Sequence, residues 1–341
     1  MERPSEPSRQ TVADLGEHAL IARIEAAAPP APPAVVVGIG DDAAVVEPER
    51  GRLTVATTDA LIEGIHFERA FCSPADAGHK ALAVNLSDLA AMGAMPCHAL
   101  LSLALPAACP VCDVDAMLQS LLALAARHRT ALIGGNIAAS PGPLVIGMTA
   151  IGNVARRRVL TRGGARPGDI LYVSGRLGGA AVGLASLRAG PHRAAREPDD
   201  CRLRYRRPEP RVRLGVALGR NRAAHACIDL SDGLADAVRQ IAAASGAGAR
   251  IEADALPIHP EARAWLDADG LDPVATALQS GEDYELAFTA PPAFRGRLRH
   301  VRRLVGDLPV TPVGIITREQ EIRLHRNGRE EPLPGGFEHF G

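Results

Sequence analysis

Apolar and polar positions along this chain follow two periods, one helical and one extended. In LGEHALIARIEAAA (15–28), Leu15, Ala19, Ile21 and Ile24 are spaced roughly as in an amphipathic helix. The PPAPP run (29–33) predicts where that helix stops, because proline has no N–H with which to continue it. AVVVGIGDDAAVV (34–46) is β-branched and broken by glycines, which predicts two short strands around a turn. LTVATTD (53–59), HALLSLALP (98–106), ALIGGN (131–136) and PLVIGMTAIGNV (143–154) read as strands. PADAGHKALAVNLSDLAAMGA (74–94) reads as a helix closed by Gly93, with Lys80 on its face, and DVDAMLQSLLALAARH (113–128) as a helix capped by an aspartate.

NVARRRVLTRGGARPGD (153–169) is rich in Arg, Gly and Pro and reads as a boundary between domains 1–155 and 156–341. Beyond it come strand ILYVSG (170–175), helix AAVGLASLRA and an arginine-rich stretch from about 193 to 213, expected to be a solvated loop. Strand HACIDLS (225–231), helix DGLADAVRQIAAAS (232–245) and strands ARIEAD and YELAFTA (284–290) follow. Strands alternating with helices predict an α/β or α+β chain of two domains.

Composition narrows the function classes. With 341 residues, 47 % of them apolar, the chain can fill two ordinary cores. A formal net charge of −1 supplies no field toward nucleic acid or an anionic membrane, and 3 % aromatics are too few for a base-stacking platform. Lys80 is the only lysine, so the positive charge is almost all arginine. No apolar run approaches the roughly 18 residues of a membrane span, and MERPSEPSRQ at the start contains no signal-like apolar region. Six scattered cysteines do not make a disulfide framework, which leaves the reducing cytoplasm as the expected location. Cys109-Pro-Val-Cys112 lacks the second pair a zinc or redox motif needs and reads as incidental.

The acids carry the candidate chemistry. Asp41 and Asp42 in GIGDD, Asp59 in TTD, Asp88 in NLSD, Asp229 and Asp232 in IDLSDG, and Glu282 and Asp283 in GEDYEL all sit at strand ends or helix starts, beside Gly, Ser, Thr or Asn. Asn85 and Asp88 are i,i+3 on one helix and share a side of it. Each acid taken singly has a plain reading as a cap or turn residue, Asp232 most clearly, at the start of its helix. As a set they need cations, since two carboxylates 4 Å apart at an effective dielectric of 20 repel by about 4 kcal/mol. Oxygen-only ligands suit Mg²⁺ beside phosphates. No G-x-x-x-x-G-K-[ST] occurs, which excludes a standard P-loop, and V-A-I-K and H-R-D are both missing.

GIGDDAAV, TTDALIEGIHF, HKALAVNLSDLAAMGAMP, LIGGN, LTRGGARPGD, IDLSDGL and SGEDYELAFT, in this order, closely resemble the thiamine-monophosphate kinases, of the superfamily that also holds aminoimidazole ribonucleotide synthetase. LGEHALIARI and GGFEHF resemble that family's termini, so the resemblance runs from about residue 15 to 340. It implies a two-domain fold whose N-terminal sheets pair across a homodimer, with a larger α/β C-terminal domain. It implies ATP-dependent, Mg²⁺-dependent phosphorylation of thiamine phosphate to thiamine diphosphate. By motif, the metal ligands would be Asp42, Thr57, Thr58, Asp59, Asp88, Asp229 and Asp232, with Asp59, Asp88 and Asp232 closest to the chemistry. Gly135, Asn136, Arg162 and Ser231 would hold ATP, and His66, Glu282 and Phe337 the thiamine moiety. One departure stands out: the family usually has an aspartate where this chain has Asn136. Two alternatives remain at this point, another ATP-using enzyme of the same superfamily and a non-catalytic binder of thiamine phosphate.

Overall fold

The computed structural model describes residues 10–189 and 198–335. They fall into two compact units, one drawn from Met1–Arg50, Ala56–Asn85 and Pro96–Gly152, the other from Gly51–Val55, Leu86–Met95 and Asn153–Gly341.

The elements feeding the first unit are helices α1 (Val12–Leu15) and α2 (Glu17–Ala27), strands β1 (Val35–Val37), β2 (Val45–Val46) and β3 (Arg52–Ile62), helix α3 (Pro74–Ala91), strand β4 (Met95–Pro106), helix α4 (Val111–Arg127) and strands β5 (Ala131–Ser140) and β6 (Val145–Ala155). The helix expected over 15–28 is divided at Gly16, whose φ of +81° breaks the helical run after a Thr11–Asp14 capping box. β1 and β2 form a small antiparallel pair, and the four longer strands form a sheet in the order β3-β6-β4-β5, with β4 and β5 parallel. Burial along β6 alternates, so Ile146, Met148, Ala150 and Val154 enter one face. α4 buries Val111, Val114, Leu118, Leu121 and Ala125, a stripe at 3.6-residue period. Its N-cap is Pro110, not Asp113, which lies in the first turn and pairs instead with Arg69.

The second unit carries β7 (Ile170–Ser174), α5 (Gly179–Ala189), α6 (Asp199–Arg206), α7 (Val212–Asn221), β8 (Ala226–Asp229), α8 (Leu234–Ser245), β9 (Gly248–Glu252), α9 (Pro260–Ala268), α10 (Pro273–Gln279), β10 (Leu286–Ala290), α11 (Arg295–Val305), β11 (Val310–Thr317), β12 (Ile322–Arg326) and β13 (Arg329–Pro332). Its sheet runs β13-β12-β9-β11-β7-β10-β8, antiparallel except for the β12/β9 pair. β10 is buried along its whole length between β7 and β8, and its Phe288 stacks on Tyr172 at 5.3 Å. Leu171, Val173, Ile228, Leu234, Val238 and Ile251 form the heart of this core. The arginine-rich stretch is not a solvated loop where it is described: it contains α6 and enters α7, and Cys201, Tyr205 and Leu214 are buried.

Lys80 lies on the expected helix, and it is buried there. It is 1 % exposed on α3, and its ammonium donates to the carbonyl of His66 at 3.0 Å. Among the described residues no helix is long and apolar enough to cross a membrane.

Candidate functional site

In the first unit, three stretches carry the expected residues. The turn between β1 and β2 is shaped by Asp41, whose carboxylate accepts the Asp42 N–H at 2.8 Å, and by Gly40 at φ +109°. Asp42 itself is exposed. This turn lies against β5, where a methyl placed on Gly134 would touch Ala44. On β3, Thr57 is half-buried while Thr58 and Asp59 are exposed. The Thr58 hydroxyl donates to the Met148 carbonyl and accepts from Thr149, each at 3.1 Å, so its oxygen keeps one lone pair for a cation. After β3 the chain turns at Gly64, and the Ile62 N–H donates to His66 Nδ1 at 3.1 Å. With Lys80 on its carbonyl, His66 is held at both backbone and ring.

Gly135 and Asn136 are exposed on β5, opposite Leu101 and Ser102 of β4. A side chain at Gly135 would collide with the Leu101 carbonyl, so strand pairing requires this glycine whatever it binds. The sheet order places β3 and β5 at opposite edges. Thr57–Asp59 and Gly135–Asn136 are therefore not neighbours within this chain's sheet.

In the second unit the acids lie on segments that are hydrogen-bonded to one another. Asp229 ends β8, is 5 % exposed and accepts the buried Ser87 hydroxyl at 2.8 Å, which sets the residue next to Asp88 against the strand end. The segment after β8 is strapped to the GEDYEL segment: Leu230 N–H donates to Glu285 O, Tyr284 N–H to Leu230 O and Glu282 N–H to Ser231 O, at 2.8, 3.0 and 2.8 Å. Gly281 permits this approach, since a Cβ there would strike the Ser231 carbonyl. Asp232 does not cap α8; Gly233 occupies the cap position without a side-chain bond, and Asp232 accepts from Ser231 Oγ at 3.1 Å instead. The cap reading of Asp232 is thereby removed. Arg162 is exposed and donates to Gln240 of α8 at 2.5 Å. Glu282 and Tyr284 take left-handed backbone at φ +68° and +47°, which costs on the order of 1–3 kcal/mol each for non-glycine residues. Phe337 lies outside the described residues.

Between those two positions, Asp283 accepts N–H groups of Gly178 and Ala180, at 2.7 and 3.3 Å, at the start of α5. Burial pushes its carboxyl up to about 7 despite those two donors. A folded-state value above the unfolded one means that its stabilising contribution is complete below about pH 4 and lost as pH rises through about 7. Asp283→Asn stays neutral but turns its amide donor toward one of the two N–H groups, so it is expected to melt below the parent near pH 4 and to gain on it steadily as pH rises to 7. Thermal unfolding across that range checks this, and a constant difference would refute it. Beside Asp283, Glu285 is fully buried and receives the Ser174 hydroxyl and Arg211 Nε, both at 2.6 Å. The sequence marked Asp283 only as one acid in a motif and gave no hint of the Glu285–Arg211 pair, because Arg211 lies in the stretch read as solvated.

The donor chemistry fits Mg²⁺. Asp42, Thr57, Thr58, Asp59, Asp88, Asp229 and Asp232 offer only oxygen, without sulfur or imidazole. Asn85, fully buried one turn before Asp88, keeps an Oδ1 acceptor without a hydrogen-bond partner, while its amide donates to the Ala81 carbonyl.

Comparison with known proteins agrees in both halves. The family model for the AIR synthase related protein, N-terminal domain, matches residues 40–154, and the one for the C-terminal domain matches 166–327. The chain is similar to the thiamine-monophosphate kinase of Salmonella typhimurium, 40 % identical over 335 residues, covering 95 % of this chain and 98 % of that one. Among solved structures it is similar to the thiamine-monophosphate kinase of Stenotrophomonas maltophilia, with TM-score 0.81 and 40 % identity over 92 % of this chain and 96 % of the other. It is also similar to AaThiL complexed with AMPPCP and TMP, with TM-score 0.76 and 30 % identity over 98 % and 100 % of the two chains.

Proposed function

The chain belongs to the AIR synthase related family and, within it, to the thiamine-monophosphate kinases, and from that membership we infer that it phosphorylates thiamine phosphate with ATP to give thiamine diphosphate and ADP. A terminal oxygen of thiamine phosphate attacks the γ-phosphorus of ATP. The new P–O bond forms as the bond to the β–γ bridging oxygen breaks, and ADP leaves. The acceptor oxygen is already anionic at neutral pH, so the protein's task is positioning and charge neutralisation rather than strong base catalysis.

The observation that carries this reading is the buried Asp229 at the end of β8, joined through Ser87 to the helix of Asp88 and followed by an Asp232 released from capping. Asp42, Thr57, Thr58, Asp59, Asp88, Asp229 and Asp232 are proposed to hold Mg²⁺, which when bound neutralises the charge of the facing phosphates. Arg162 and Ser231, with the backbone at Gly135 and Asn136, are proposed to hold ATP; Arg162 offers a fork of donors to phosphate oxygens. His66, Glu282 and Phe337 are proposed to hold the thiamine moiety, Glu282 by bonding the aminopyrimidine. We place the two domains at 1–155 and 156–341. A homodimer belongs to the same proposal: β3 and β5 are the long edges of the four-stranded sheet, and edges of that length are usually paired or covered. Cytoplasmic location is proposed on the same footing as the activity.

The test is product formation from thiamine phosphate, ATP and Mg²⁺, followed as thiamine diphosphate, with unphosphorylated thiamine as the control. Turnover of both at equal rates would overturn the substrate assignment.

Asn136 favours one other reading, binding without turnover, because an amide brings no charge where the family usually has a carboxylate. Asn136→Asp restores that charge at nearly constant shape. A net gain of about 1–3 kcal/mol in cation binding is expected after desolvation and neighbouring acids are set against attraction. The variant should reach half-maximal rate at lower Mg²⁺, with a smaller change in KM for thiamine phosphate. Activity confined to the variant would establish the binder reading for the parent, and coincident Mg²⁺ titrations would remove residue 136 from the cation's surroundings.

A further inference from the structure

A cluster of different chemistry lies in the second unit, on α6 and α9. Cys201 is 0 % exposed on α6, and its Sγ lies 3.4 Å from Nδ1 of His259, which is 4 % exposed at the N-cap position of α9. Glu261, in the first turn of α9, accepts the backbone N–H groups of Asp200 and Cys201 at 3.1 and 3.4 Å. One ligand atom each from Cys201, His259 and Glu261 lies within 4.8 Å of the others. The second ring nitrogen of His259 is 2.6 Å from the Asp200 carboxylate, which in turn meets Arg204 at 3.2 Å.

We propose that Cys201, His259 and Glu261 form a zinc site that pins α6 to α9, with Asp200 orienting the imidazole. The Sγ···Nδ1 separation is the one that two tetrahedral zinc ligands would show with bonds of about 2.3 Å to sulfur and about 2.0–2.1 Å to nitrogen. Asp200 on the far ring nitrogen is the carboxylate–histidine–metal arrangement that fixes tautomer and ring orientation in such sites. Charge agrees: a divalent cation, a thiolate and the Glu261 carboxylate sum to zero, and Asp200 is balanced by Arg204. On ligation the thiol S–H bond breaks, its proton leaves to solvent, and a Zn–S bond forms. Soft sulfur and imidazole select zinc over Mg²⁺, so this site differs in kind from the all-oxygen set. A fourth position falls to water or to the second Glu261 oxygen, since Glu261 is the one partly exposed member of the three. The inference does not depend on the kinase reading.

The experiment uses the full reduced chain, loaded with Co²⁺ for spectroscopy and with Zn²⁺ for metal content after desalting and for melting. One Co²⁺ with a thiolate-to-metal charge-transfer band, and a higher melting temperature with Zn²⁺, are expected. Because the chain has six cysteines, variants assign the band. It should survive Cys109→Ser/Cys112→Ser and vanish in Cys201→Ser. Asp200→Asn should keep the band and lower metal affinity by about 10–100-fold. No band in the parent, a band that survives Cys201→Ser, or one lost with Cys109 and Cys112 would overturn the proposal. If Cys201→Ser does not fold, the Asp200→Asn arm decides, and unchanged affinity there overturns it.

Discussion

Asp88→Asn is expected to lower turnover by about a thousandfold, a loss of about 4 kcal/mol in transition-state stabilisation, with no change of fold. The prediction rests on two separate facts. Asp88 is only half-buried, while Leu82, Leu86, Leu89 and Ala90 of the same helix are completely buried and anchor it. Asparagine keeps the shape and the helix, and Ser87 still reaches Asp229. What disappears is one negative charge from a set that must gather cations between two polyphosphate anions, where electrostatic contributions are largest. A steady-state assay in saturating Mg²⁺, paired with circular dichroism and melting, separates chemistry from stability. Activity within a few-fold of the parent would take Asp88 out of the reaction. A low melting temperature with proportionate loss of activity would assign it to the fold.

The largest expected effect on stability is at Arg211. Its guanidinium meets Glu285, which is 0 % exposed and also receives the Ser174 hydroxyl. Arg211→Met removes the partner and leaves the carboxylate buried, with Arg204 still 3.7 Å away. Breaking one side of such a pair costs about 3–5 kcal/mol. In a domain of this size that corresponds to a melting temperature lower by on the order of 10 °C. The double variant Arg211→Met/Glu285→Gln should recover part of the loss, because a neutral amide can be buried at lower cost. If the double variant is no more stable than the single one, the pair's charge is not what the core depends on. Glu285 sits two residues from Asp283 and hydrogen-bonds Leu230 through its backbone, so loosening it should also raise KM for both substrates.

The parts that could be read from sequence were those where a local rule and the tertiary structure agree. β6 alternates cleanly because one face is buried, and α4 shows its stripe for the same reason. The glycine–aspartate turns were visible because only a few residue types tolerate those backbones. Elsewhere local rules lost to tertiary context. Asp113 and Asp232 have the composition of caps, yet Pro110 and Gly233 take those positions, and each aspartate finds another partner. α6 was hidden because its run of charged residues buries only Cys201 and Tyr205, too few for a periodic signal. The strands β11, β12 and β13 and the helices α9 and α10 leave no clear periodic signal in the sequence; several are only five to nine residues of ordinary composition. The sequence grouped Thr57–Asp59 with Asn136 by motif, and strand order, which no local pattern encodes, sets them on opposite edges.

The burial of Lys80 has a practical consequence. It is the chain's only lysine, and its ammonium is enclosed against the His66 carbonyl. Amine-directed reagents therefore find no side-chain target on the folded surface, and enzymatic acetylation or ubiquitin transfer has none either. A native preparation treated with an acylating ester should keep its side chains unmodified, and modification at Lys80 should become measurable only as the protein unfolds. The residue is thus a built-in reporter of opening around the His66 turn, with the rate of acylation under native conditions giving the frequency with which that part of the molecule comes apart.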